Sequence, residues 1–134
     1  MNNSLKEGYI KAPSGETKRY CQFLKLNHET LKQYKYWHDS RNIWREIPKG
    51  IREAGILDME IYVVDDMAFM LIETPVDFNW DEAFGRLATL ERQEEWENFV
   101  SAFQQAGEGK RSEEKWKLIE RIFSLPEALG KMKS

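Results

Sequence analysis

Residues 56–75 read ILDMEIYVVDDMAFMLIETP. Two β-rich runs, Met59–Val64 and Ala68–Thr74, flank Asp65-Asp66, a pair that suits a tight turn. Met59, Ile61 and Val63 alternate with Glu60, Tyr62 and Val64, so the first run presents two different faces. Pro75 lacks an N–H for a sheet ladder and ends the second run. The segment predicts an antiparallel hairpin, and the elements on either side decide what it is part of.

Upstream, RYCQFLKL (residues 19–26) reads as a strand with Tyr20, Gln22, Leu24 and Leu26 on one side. Asn27 offers an N-cap to a helix beginning HETLKQYKYWH, in which Leu31, Tyr34 and His38 share a face. After the polar break Asp39–Asn42, Ile43, Ile47 and Ile51 continue an apolar stripe, Pro48 predicts a kink or restart, and Gly55 a stop. Downstream, residues 79–104 predict helix with a break near Thr89, and Trp96, Phe99, Val100 and Phe103 form its apolar face. A polar connection over residues 104–115 precedes a closing strand, WKLIERIFSL (residues 116–125). The order βαββαβ is the α+β, ferredoxin-like arrangement: a four-stranded antiparallel sheet with helices on one face. If the other face is apolar it needs a cover. In a chain of this size that cover is a second copy, giving a homodimer with the architecture of a dimeric α+β barrel. The expected boundaries are a mobile arm at 1–18, the domain at 19–125 and a tail at 126–134.

At 134 residues the chain suits one domain. Twenty Lys and Arg against 23 Asp and Glu give a net charge of -3 with no same-sign block, which argues against a nucleic-acid partner. The single cysteine, Cys21, excludes an internal disulfide and a Cys-based zinc site. No run approaches the ~18 apolar residues of a membrane span, and the N-terminus has no apolar signal core. The expectation is a cytoplasmic protein with no membrane association. Five Trp in so small a chain fit either a core of large side chains or a sugar site, whose aromatic faces pack on C–H surfaces; composition does not choose.

The two histidines differ. His28 falls in a first helical turn, where exposure without function is expected. His38 shares a face with Leu31 and Tyr34, which suits a packed core histidine or an acid–base group. No His-x3-His spacing accompanies it, so no metal is expected. Gly107–Lys110 lacks the strand–loop–helix context of a phosphate loop, and Cys21 inside a strand reads as a small buried hydrophobe. Asp65 and Asp66 belong to a solvated turn, and Glu91, Glu94 and Glu95 to an outer helix face. Glu97 is held open because it adjoins Trp96, and Glu60 and Glu73 could face either way on their strands.

Together these features resemble the L-rhamnose mutarotase family, small dimeric ferredoxin-like enzymes that interconvert sugar anomers. The resemblance rests on Leu26-Asn27, Tyr34, His38, Trp44 and Glu46, then Glu53–Ile56, Ile61-Tyr62, Trp96 and the closing strand, covering residues 19–125. It implies that His38 is the proton donor, that Tyr34 contacts the sugar and that Trp96 lines the site, with no cofactor and a monosaccharide as substrate. Departures are Glu97 where the family has a second Trp, Met59 where it has a substrate-contacting Tyr, Arg45 in place of a frequent Pro, and two extra residues between His38 and Trp44. These leave L-rhamnose or L-fucose as candidate sugars and Glu97, Glu60, Tyr62 or water as the second proton carrier. The rival readings are a non-catalytic protein that binds a sugar or another small molecule on the same dimeric fold and, further off, a dimeric monooxygenase or haem protein with His38 as axial ligand.

Overall fold

The computed structural model of the chain describes residues 3–11, 15–105 and 110–132. Its elements run α1 (Asn3–Lys6), β1 (Tyr9–Ile10), β2 (Thr17–Lys25), α2 (Leu31–His38), α3 (Glu46–Glu53), β3 (Asp58–Val64) and β4 (Met67–Pro75). Then follow α4 (Trp80–Leu87), α5 (Gln93–Val100), α6 (Ser112–Lys115), β5 (Lys117–Ile119) and α7 (Leu125–Met132), with short 3-10 turns at His28–Thr30 and Ser101–Phe103.

The hairpin forms β3 and β4 with Val64 opposite Met67, and Asp65 takes the left-handed conformation (φ 54°) that a two-residue turn demands. β4 also pairs with β2 over its whole length, from Thr17↔Pro75 to Lys25↔Met67. β1 and β5 lie end to end on the far edge of β2, through Tyr9↔Arg19 and Cys21↔Ile119. Every pairing is antiparallel, and the order β5-β2-β4-β3 is that of a ferredoxin-like sheet.

Strict alternation divides the sheet. Tyr20, Gln22 and Leu24 of β2 and Ala68, Met70 and Ile72 of β4 are buried beneath the helices, with Tyr34, Ile47, Phe84, Leu87, Trp96 and Val100 packed over them. Each such large apolar side chain contributes about 1.5–3 kcal/mol on burial. A second aromatic group, Tyr20, Phe78, Trp80 and Phe84, closes the end near α4, with Trp80 and Phe84 ring centroids 4.4 Å apart. On the opposite face Cys21, Phe23, Phe69 and Leu71 are half-buried and Tyr62 and Val64 exposed. In the C-terminal segment Ile122 is 92% exposed and Phe123 64%.

Several local expectations change. Pro48 is the third residue of α3 and starts nothing. In the first turn its missing N–H would have had no intrahelical acceptor, so the helix runs through it unbroken. Asn27 makes no side-chain cap; its Nδ2 donates to the Ala102 carbonyl (3.1 Å) and its backbone N–H to Phe103 O (2.9 Å), tying the end of β2 to the turn after α5. The segment read as a mobile arm contains α1 and β1, and the Tyr20 hydroxyl donates to the Lys6 carbonyl (2.9 Å) across it; residues 1–2 and 12–14 lie outside the described residues. The closing strand is only Lys117–Ile119, and the expected tail contributes to α7. The predicted break after α4 is present, Arg92 (φ 63°) turning the chain into α5.

Candidate active site

A cavity of about 860 Å³ opens between the covered side of the sheet and helices α2, α3 and α5. Its volume suits a small organic ligand. Ile43, Ile47 and Ile51, the apolar stripe around α3, form one wall. Tyr34, His38, Trp96, Glu97, Met59 and Trp116 line it as well, with Gln93 and Gln104, and α3 adds the charged side chains of Lys49, Arg52 and Glu53. All three site residues expected from the sequence, Tyr34, His38 and Trp96, therefore meet in one place.

α2 presents Tyr34 and His38 one turn apart, and their rings pack at 4.1 Å between centroids. His38 Nδ1 lies 2.8 Å from the backbone carbonyl of Tyr34. A carbonyl can only accept, so Nδ1 carries the hydrogen and Nε2 is left with a free lone pair when the ring is neutral. Burial pushes the His38 imidazole below its ordinary range, partly offset by that carbonyl, which favours the cation. Trp96 meets His38 edge-on at 5.3 Å. Behind it Trp44 packs against both Trp96 and Phe99 at 5.2 Å, and the Arg92 guanidinium sits 4.1 Å over the Trp44 ring while pairing with Glu46 and Glu95. Trp44 and Glu46 thus brace the wall that holds Trp96.

The Tyr34 hydroxyl is buried without a well-formed hydrogen bond, near Gln104 and Glu97. Burial is the main cause that pushes its phenol far above the ordinary range, so it stays protonated and can give or take a hydrogen bond.

Glu97 is 8% exposed, not on an outer face. Lys115, whose side chain is fully buried, pairs with it: Nζ lies 3.0 Å from Glu97 Oε1, 2.6 Å from the Glu97 backbone carbonyl and 3.0 Å from Gln104 Oε1. Gln93 Nε2 donates to Glu97 Oε2 at 2.6 Å. Burial raises the Glu97 carboxyl above its usual range, while Lys115 and Gln93 pull it back. Gln93 and Glu97 lie at i−3 and i+1 of Trp96 on the buried stripe of α5, a polar pair that the helical spacing could have revealed. Lys115 sits in the polar run Ser112–Lys115, and no pattern there marks it as buried.

The other carboxylates are elsewhere. Glu60 accepts from the exposed Tyr62 hydroxyl (3.0 Å) on the strand face opposite Met59 and Ile61, which line the cavity. Glu73 pairs with Lys11 and Arg19 and accepts from Thr17. His28 is exposed, and Cys21 is half-buried with its thiol pushed up by burial. Among the described residues no three His, Cys, Asp or Glu side chains gather as metal ligands.

The L-rhamnose mutarotase family profile matches residues 19–125. An L-fucose mutarotase of Xanthomonas campestris pv. campestris is 32% identical over 114 residues, covering 84% of this chain and 91% of that protein. The crystal structure of an L-rhamnose mutarotase from Formosa agariphila superposes with a TM-score of 0.60 at 19% identity, over 81% of this chain and 98% of the other, and so has the same fold. With a family match spanning most of the domain and a cavity that gathers Tyr34, His38 and Trp96, the chain belongs to the L-rhamnose mutarotase family of sugar isomerases.

Proposed function

We propose that the chain interconverts the α and β anomers of a neutral 6-deoxyhexose, L-fucose or L-rhamnose, with His38 as the proton carrier, Tyr34 and Trp96 as sugar contacts and residues 19–125 as the working domain. The observation that carries this reading is the fixed tautomer of His38 in the cavity. Neutral His38 takes the proton of the anomeric hydroxyl at Nε2, forming imidazolium. The imidazolium returns that proton to the ring oxygen as the C1–O5 bond breaks and the C1 aldehyde forms. Rotation about C1–C2 exposes the other aldehyde face, and the same transfers in reverse close the ring. The two oxygens sit on one carbon, so one imidazole can serve both, and the cycle consumes no cofactor. The donor role implied by the resemblance becomes one half of this cycle.

Saturation-transfer proton NMR on the anomeric signals of L-fucose and L-rhamnose tests the reading. Catalysed exchange is expected to rise with pH through a midpoint below about 6.5, the ordinary imidazole value, and then level off. The sign follows from His38 entering the cycle deprotonated and from burial lowering its pKa. A profile that falls as pH rises through this range would mean that His38 must start as the acid. Absence of exchange with every sugar would favour a binding protein.

A second copy of the chain is proposed to cover the half-buried face of Phe23, Phe69 and Leu71, giving a homodimer. Multi-angle light scattering is expected to return twice the chain mass, and a monomer at micromolar concentration contradicts this. The free Cys21 thiol fits a reducing compartment, and the cytoplasm is the proposed location.

A further inference from the structure

The buried Glu97–Lys115 ion pair is unequal in what it leaves free. The Lys115 ammonium has three donors, and all three are used, by Glu97 Oε1, the Glu97 carbonyl and Gln104 Oε1. The Glu97 carboxylate has about four acceptor sites, of which Lys115 and Gln93 occupy one on each oxygen. Gln93, tied to Glu97 through its Nε2, has its Oε1 buried without a donor. Glu97 and Gln93 both line the cavity and Lys115 does not. The Lys115 charge is therefore consumed inside the wall, while the Glu97 carboxylate keeps spare acceptor sites at the cavity's edge; the cations that line the cavity, Lys49 and Arg52, belong to α3. Nor does the fold need this arrangement for stability, since buried ion pairs contribute little beyond what apolar side chains of equal volume would.

We propose that Glu97 and Gln93 are specificity-determining residues whose acceptors take hydrogen bonds from ligand hydroxyls and turn away a ligand carboxylate placed against this wall, and that Lys115 is a positioning residue that fixes the Glu97 carboxylate. This deepens the mutarotase reading and rests on it. A hydroxyl donating to Glu97 makes a charge-assisted bond to a buried carboxylate, whereas a ligand carboxylate set against this wall would meet a like charge, with the Lys115 donors already used and the lining cations Lys49 and Arg52 on α3 rather than in this wall. The Tyr34 hydroxyl, unpartnered and near Gln104, extends the same polar wall.

The test compares L-fucose with L-galacturonate, the same ring bearing a 6-carboxylate, by titration calorimetry and anomer-exchange NMR. Wild type is expected to bind L-fucose at least about tenfold more tightly than the acid. Glu97→Gln should weaken L-fucose binding about tenfold or more, the loss expected for a hydrogen bond to a charged group, and should narrow the preference over the acid because Lys115 is left uncompensated. The double variant Glu97→Gln/Lys115→Met removes both charges, guards against a folding failure of the single variant, and should lose L-fucose affinity likewise. Wild-type affinity and wild-type discrimination in the double variant would overturn the proposal while leaving the catalytic reading intact. Wild type that neither binds nor exchanges L-fucose or L-rhamnose would overturn both.

Discussion

His38→Ala is expected to lower catalysed anomer exchange by ~10²–10⁴-fold, the usual contribution of a positioned acid–base group. The loss falls on kcat more than on KM, because Tyr34 and Trp96, the proposed sugar contacts, keep their own supports. Tyr34 is 2% exposed within the core, and Trp96 is held by Trp44 and Phe99. The fold persists: the substitution removes ring packing on Tyr34 and Trp96 and one hydrogen bond to the Tyr34 carbonyl. Those interactions are worth roughly 1–3 kcal/mol together. Circular dichroism and a melting curve check that point. Free imidazole added to the variant should recover part of the exchange rate, since the cavity left by the ring adjoins the ligand space. Turnover equal to wild type would take His38 out of the reaction.

Lys115→Met carries the largest expected cost in stability, about 3–5 kcal/mol, because it strands the Glu97 carboxylate in a buried site. In a domain of this length that lowers the melting temperature by roughly 10–20 °C. Adding Glu97→Gln should return most of the loss, since a neutral amide beside methionine leaves no charge buried. The deficit should also depend on pH. Glu97 already has a raised carboxyl pKa in the folded state, and removing Lys115 takes away a cause that lowers it. In the window between its unfolded value, 4.5, and that raised folded value, the folded form holds the extra proton, so stability falls as pH rises through it. Below the unfolded value both states are protonated and the penalty disappears. Urea melts of the single and double variants at pH 4 and pH 7 measure this, and a single variant as stable as wild type at pH 7 would contradict the ion-pair reading.

The difference between the two substitutions shows what was readable in the chain. Tyr34 and His38 sit one turn apart on a helix whose apolar face the spacing marks, and Trp96 anchors an i, i+3, i+4, i+7 stripe; local periodicity places such residues correctly. The hairpin at residues 56–75 likewise carries its own turn and its own alternation. Those patterns, with the order of elements, sufficed for the α+β class and for the helix faces that carry Tyr34, His38 and Trp96, because local periodicity depends on neighbours within a few residues. Asn27 and Pro48 were legible as residue types and misleading as roles. A capping side chain can be drawn away by a distant carbonyl, here that of Ala102, and a proline is harmless in a first helical turn.

Only the tertiary structure decided the fate of the charges. Glu94, Glu95 and Glu97 lie within four residues of one another in the chain, and the fold exposes two and buries one. The helical stripe hinted at this, but burial of a carboxylate needs a cation, and Lys115 arrives from 18 positions further on. Sequence periodicity speaks for one element at a time, whereas an ion pair belongs to two. The free nitrogen of His38 has the same origin, since it is the packed geometry of α2 that puts Nδ1 against the Tyr34 carbonyl and leaves the lone pair on Nε2.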